Sequence, residues 1–444
     1  MSPARPALVR GVGASALWML VAASTSSAQP ATVASPAPLA TFEAAWQIVS
    51  DTHFDPTFNG VDWAAVRDEL RPRAATARSA AELRALIQDM LGRLGQSHFT
   101  LLPGEAVDDP GAGRTAEGDG DIGLEVRLLG DTVAVTAVHP GGPSAEAGVR
   151  AGWLLSAVDG HSVASLLDRL PGDLAPRLRQ VEAWRGVTSH LRGPAGSLAR
   201  LVFIDGGGVS RPVVLRRRPE PGEAVTIGSL PTFHVRVARE RLDTAGGATA
   251  GLIRFNVWMT PVDGPLAAAV DEFRQSDGIV LDLRGNPGGL AAMLMGVSGH
   301  FIDEPRVLGT MKTRDAELRF VVNPRRVGAT GARVTPYGGP VAILVDALTG
   351  SASECFAGGL QALGRARVFG QPSMGQALPA LFDRLPNGDV LVHAYGDFVT
   401  ASGERLEGRG VRPDELVPLD RQDLLDERDR PLEAALAWID RVRR

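Results

Sequence analysis

The sequence predicts an α/β protein of several domains, on three observations. From about residue 229 onward, strand-like apolar runs at 251–256 and 278–283 alternate with helical patterns at 265–273 and 290–301, an order that builds helix-covered sheet layers. Ahead of that region, residues 122–126 and 132–138 read as strands of a smaller β-rich part. It continues through Val163 to Leu170 and Leu201-Val202-Phe203 and closes with Pro212-Val213-Val214-Leu215. Ahead of that again, residues 41–94 place Phe42, Ala45, Trp46 and Val49, then Trp63, Val66 and Leu70, then Leu83, Leu86, Ile87, Met90 and Leu94 at helical spacing, which predicts three helices. With 444 residues, 44% of them apolar, each part can bury its own core.

The stretch VAILVDALTGSASECFA, residues 341–357, carries the most chemistry. Its first five residues are a β-branched, apolar run suited to a buried strand, Asp346 to Gly350 are turn residues, and Ser351-Ala352-Ser353-Glu354 opens a helix. A serine at such a junction has backbone N–H groups and the positive end of a helix dipole beside its hydroxyl, which suits an oxyanion. The same residues also read as a capping box, Ser351 with Glu354 three residues on.

Composition excludes several classes. The net charge of −5 offers no basic surface for nucleic acid, and the balance is too mild for a disordered acidic chain. Arg5 and Arg10, an apolar run at 12–23 and Ser26-Ser27-Ala28 before Gln29 read as a signal peptide. No later segment has the length of apolar residues that spans a bilayer, so the expectation is a secreted or periplasmic protein without a membrane span after signal cleavage. The single cysteine, Cys355, lies on an apolar helix face and reads as core.

Ser97 and His98 sit where the third helix stops and an extended Phe99-Thr100-Leu101-Leu102 begins. The segment 143–160, PSAEAGVRAGWLLSAVDG, resembles a PDZ domain, and the resemblance makes Gly123, Leu124, Glu125 and Val126 the loop that receives a peptide C-terminus beside an exposed strand edge. Arg284-Gly285-Asn286-Pro287-Gly288-Gly289 follows a buried strand. It does not fit G-x-G-x-x-G or a P-loop, and its consecutive glycines leave N–H groups pointing outward, as an oxyanion hole requires.

Three stretches, GIVLDLRGNPGG at 278–289, GSASECFAGGLQALGRARVFGQPSMGQ at 350–376 and GERLEGRGVRPD at 403–414, together resemble the carboxyl-terminal processing peptidases and tricorn-core serine peptidases. The resemblance implies a crotonase-like catalytic domain with Ser351 as nucleophile and an oxyanion hole from Ala352 with Gly288 or Gly289. The processing peptidases deprotonate their serine with a lysine some two dozen residues on; here that position is Gln376, and the only lysine of the chain, Lys312, sits in a polar segment. The tricorn-like branch instead uses a Ser-His pair and a late glutamate, which map to Ser97, His98 and Glu407; the Asp62-Trp63 pair also looks like that branch. His98 is then the general base, with a pKa expected near neutrality, and Ser97 and Glu407 orient it.

The expected organisation is a signal peptide at 1–28, a linker and helical domain at 29–105, a PDZ-like domain at 106–220 and a crotonase-like peptidase domain at 221–444. The expected function is peptide-bond hydrolysis in proteins or peptides through an acyl-enzyme on Ser351, with neither metal nor organic cofactor. Two rivals share the fold: a non-catalytic peptide- or ligand-binding protein, and an acyl-CoA enzyme, which conflicts with export. Nothing in the sequence sets the oligomeric state.

Overall fold

The computed structural model describes residues 38–104, 119–172, 174–227 and 232–443; the expected signal peptide, most of the linker and the loop at 105–118 lie outside them. The three expected helices form: α1 (Pro38–Thr52), α2 (Trp63–Ala75) and α3 (Ala80–Gly92). Asp62 caps α2 by accepting the Ala65 N–H at 2.9 Å, and Ser79 caps α3 through Glu82 N at 3.1 Å. Their apolar stripes meet in one core that also takes in Leu378, Leu385, Leu391 and Ala394 from far along the chain. A short strand after α3, β1 (Thr100–Leu102), pairs antiparallel with residues 390–392 and extends that union into backbone hydrogen bonds.

The smaller β part is an antiparallel sheet in the order β2 (Leu124–Leu129), β3 (Thr132–Val138), β4 (Leu154–Val158), β5 (Leu198–Ile204) and β6 (Ser210–Arg216). Val126, Val135, Leu155, Leu201 and Phe203 face its core. Between β4 and β5 runs a helix the sequence reading passed over, α4 (Pro176–Leu191). One stripe, Ala183, Val187 and Leu191, packs into the β core; another, Val181 with the flanking Trp184, packs on Leu348 and Met374 of the larger α/β part. Its two narrow stripes are separated by arginines and polar residues, so neither gives a strong apolar period on its own.

The larger α/β part is built on a six-stranded sheet. β7 (Val237–Asp243) pairs antiparallel with β8 (Thr249–Phe255); β9 (Gly278–Asp282), β10 (Val341–Val345), β11 (Arg367–Gly370) and Glu415–Leu416 then follow in parallel. Every residue of β9 and β10 is buried, as strands covered on both faces must be. Alternation along β10 sends Val341, Ile343 and Val345 to one layer and Ala342 and Leu344 to the other. The first layer holds α5 (Asp263–Glu272) and α7 (Ala352–Ala362). The second holds the C-terminal α8 (Arg430–Val442) through Ala435 and Ile439.

The helix expected over 290–301 is shorter, α6 spanning Met293–Ser298. Trp258 N donates to Gly288 O and Leu290 N to Trp258 O, both at 2.8 Å, so the chain leaves the glycine corner pinned in extended form and turns helical only afterwards. Among the described residues no helix is long and apolar enough to cross a membrane.

Candidate active site

The turn after β9 and the turn after β10 lie side by side at the carboxyl ends of adjacent parallel strands, the usual place for a site in such a sheet. Ser351 is the N-cap of α7 and has φ 51°, ψ −119°, a conformation an L-residue adopts only under constraint. Its own N–H is held from two sides, by Gln376 O and by Glu354 Oε2, both at 3.0 Å. Its hydroxyl lies in capping-box position but makes no cap hydrogen bond of its own.

Glu354 is fully buried and accepts four hydrogen bonds: from Ser351 N at 3.0 Å, Ser373 Oγ at 2.6 Å, Gly375 N at 2.6 Å and Gln376 N at 3.0 Å. Burial raises its carboxyl to about 7, with those donors opposing. The residue read from sequence as a helix cap therefore clamps the 373–376 loop against the serine turn. Cys355 beside it is core, its thiol pushed well up by burial.

The glycine corner reaches the serine. A Cβ on Gly288 would come within 2.6 Å of Ser351 Cβ and 2.9 Å of Ala352 N, and one on Gly289 within 2.4 Å of Trp258 O, so neither position tolerates a side chain. Their N–H groups differ. Gly288 N donates to Asn286 Oδ1 at 3.0 Å, whereas Gly289 N and Ala352 N have no partner among the described residues. Two residues the sequence reading did not single out brace this corner. Asn286, fully buried, also donates Nδ2 to Phe255 O at 2.9 Å. Trp258, besides its backbone bonds, donates Nε1 to Ser353 Oγ at 2.8 Å. Asn286 lay inside the glycine-rich stretch without a role of its own, and Trp258 carried no sequence signal beyond its place next to a strand.

Ser97, His98 and Glu407 come together. Glu407 Oε2 accepts from Ser97 Oγ and from Ala377 N, and Oε1 from Ser97 N, all at 2.9 Å. With its proton given to Glu407, Ser97 Oγ accepts from His98 Nδ1 at 2.8 Å, which leaves Nε2 of the imidazole as the bare lone pair. His98 itself has φ 60°. Burial raises the Glu407 carboxyl. The His98 ring keeps an exposed edge but is densely surrounded by protein; burial, then the charge of Arg185 on α4, brings it down to about 4, below the neutral value expected from sequence. No hydrogen bond joins His98 to Ser351 among the described residues. The link between the two arms is the peptide unit of Gln376 and Ala377: its carbonyl accepts from Ser351 N, and its N–H donates to Glu407.

Gln376 has no base role to play; its side-chain oxygen accepts from Arg185 Nη2 at 3.4 Å. Lys312 ends the central strand of a separate three-stranded sheet, Arg306–Lys312, exposed and against Glu317 at 3.4 Å. In the small β part, Gly123 adopts φ +75° and Leu124 and Val126 are buried, while Glu125 turns toward the larger α/β part, where Arg254 Nη2 lies 2.9 Å from both its oxygens. Burial pushes the Glu125 carboxyl up, but His139, Arg254 and Arg127 outweigh it and hold it far below the ordinary range. No cluster of three metal-ligating side chains occurs among the described residues.

Residues 249–417 match the model of peptidase family S41, and residues 39–92 match the Tricorn protease C1 domain. The carboxyl-terminal-processing protease of Picosynechococcus sp. is 25% identical over 378 residues, covering 84% of this chain and 82% of the relative. That of Synechocystis sp. is 26% identical over 377 residues, covering 84% and 79%. In fold, the chain is similar to a photosystem II D1 C-terminal processing protease, with TM-score 0.58 and 23% identity over 91% of this chain and 97% of that one. Mature CPAF aligns with TM-score 0.58 and 14% identity over the same shares. The S41 match spans both the glycine corner and Ser351, the C1 match covers the helices that lead into Ser97-His98, and the chain thus carries a serine-peptidase domain of family S41 together with a Tricorn protease C1 domain.

Proposed function

We propose that this peptidase works by a Ser-His mechanism in which His98 Nε2 takes the proton of Ser351 Oγ as the oxygen attacks a peptide carbonyl. The oxyanion then accepts hydrogen bonds from Gly289 N and Ala352 N, the two unpartnered donors flanking the serine. Collapse to the acyl-enzyme passes the proton from His98 to the leaving amine, and water repeats the sequence in reverse roles. Glu407 and Ser97 fix the tautomer. The observation that carries this reading is the Glu407–Ser97–His98 hydrogen-bond chain, tied to Ser351 through one peptide unit. An open His98–Ser351 gap in the free enzyme is compatible with it, since catalytic hydrogen bonds often tighten only around substrate.

Ser351→Ala tests it. Peptide hydrolysis and labelling by a serine-reactive phosphonate should vanish, while stability changes by no more than about 1–2 kcal/mol. Full activity in that variant, or labelling that persists at Ser353, would sink the assignment.

We further propose that the small β part is a PDZ-like peptide receptor, on the support of the edge of β2 beside α4, unpaired among the described residues. A labelled peptide with a free apolar C-terminus should bind and lose affinity when amidated; equal binding of both forms counts against it. Export rests on the 12–28 pattern, and mass spectrometry of the chain from an exporting bacterium should find a mature N-terminus at Gln29. An intact Met1 would refute cleavage.

A further inference from the structure

The two oxyanion donors belong to different loops, so something must fix their separation. Gly289 ends the corner that begins at Gly285, and Ala352 ends the turn that begins at Asp346. Asp346 meets both. Its Oδ1 accepts Gly285 N at 2.9 Å from the first loop and Leu348 N at 3.0 Å from the second. Its Oδ2 accepts Arg127 Nε at 2.8 Å from the small β part, and the carboxylate is 13% exposed. Thr349 Oγ1, held by Asp346 N at 2.9 Å, donates to Leu283 O at 2.9 Å, and Gly350 N donates to Asn286 O at 3.0 Å, which continues the seam between the loops.

We propose that Asp346 is a positioning residue for the oxyanion hole: one carboxylate oxygen sets the distance between the glycine corner and the serine turn, and Arg127 holds that carboxylate in place. The inference rests on Ser351 as nucleophile. Asp346 touches no substrate and acts only through where Gly289 N and Ala352 N point. A small misplacement of such donors costs as much as deleting one, about 10²-fold or more in rate. The seam is not simply a fold contact, because β9 and β10 are already joined by their parallel ladder. The carboxylate adds a specific acceptor where the ladder has ended.

The test compares Asp346→Ala, Asp346→Glu and Asp346→Asn in the full chain, with a short peptide ester, a peptide boronate and a cooperative thermal transition as the check of folding. Asn keeps an oxygen at the right reach for both N–H groups but sets an amide N–H₂ against Arg127; Glu keeps the charge but carries it one methylene too far. Ala and Glu should each lower kcat about 10²-fold with KM within about threefold, boronate affinity falling in step with kcat, and Asn should lose less than about tenfold. Should Ala not fold, Glu and Asn still give opposite expectations. The proposal is overturned if Glu keeps kcat within threefold, if Asn is as damaged as Glu, or if KM rises while boronate affinity holds. Phosphonate labelling of Ser351 in the wild-type chain separates the two layers: without it the nucleophile assignment itself falls, whereas with it a failed variant pattern removes only the role of Asp346.

Discussion

The Ser351 arm and the His98 arm each contain a buried glutamate, and the two differ in where their hydrogen bonds lead. Glu354 accepts four donors, all from the serine turn and the loop beside it, and none leads onward to a titrating group. Glu407 accepts three, and one of them, Ser97 Oγ, in turn receives the imidazole N–H. Burial raises both carboxyls. Residue type, depth and direction of shift therefore do not distinguish a frame from a proton path; only what lies behind the hydrogen-bond donor does.

Breaking the base arm should have the largest effect. His98→Ala is expected to lower kcat by about 10⁴-fold, whereas Gln376→Ala should cost less than about tenfold, measured on one peptide substrate. Equal losses would mean that the loop at 376 carries the chemistry. Next comes the glutamate contrast. Glu407→Gln should lower kcat by about 10²- to 10⁴-fold through a wrongly held imidazole, with little change in unfolding free energy. Glu354→Gln should do the reverse, destabilising the fold by about 1–3 kcal/mol because an amide N–H₂ is set against backbone donors. Its penalty is also pH-dependent. Between the ordinary carboxyl value of 4.5 and about 7 the folded wild type holds a proton that the unfolded chain has released, so the wild-type advantage over Glu354→Gln should shrink as pH rises through that window. Urea titrations at several pH values read this directly, and a growing advantage would contradict it.

The smallest effect sharpens the same contrast. With His98 lowered to about 4 and cast as the neutral base in the proposed mechanism, kcat/KM should fall only as pH drops through that region, well below the ordinary histidine range. Arg185→Gln removes the lesser of the two causes, so the limb should move upward by less than about one pH unit. A limb at about 6 to 7 in the wild type would contradict the lowered imidazole, because kcat/KM reports the groups of the free enzyme.

How much of this could be read from the chain depended on how locally each part is encoded. The strand, turn and helix around Ser351 are contiguous, and the five apolar residues of β10 followed by turn residues and Ser-Ala-Ser-Glu announce themselves. The base arm is not contiguous. Ser97 and Glu407 meet across 310 residues, and only the family resemblance paired them. α4 escaped because its buried positions are shared between two cores, and the helix at 290–301 was overdrawn because Trp258 fixes Leu290 through the backbone, where side-chain periodicity is silent. The lowered imidazole was equally invisible, since burial and Arg185 are properties of the assembled site.

The peptide unit between Gln376 and Ala377 has a mechanical consequence. A trans peptide is a rigid plate whose carbonyl and N–H point to opposite sides. Here one side grips the backbone of Ser351 and the other the carboxylate of Glu407. Turning that plate cannot release one partner and keep the other. It behaves as a double-pole switch thrown by a single blade, so any rearrangement that rotates it disconnects nucleophile and base arm in the same stroke.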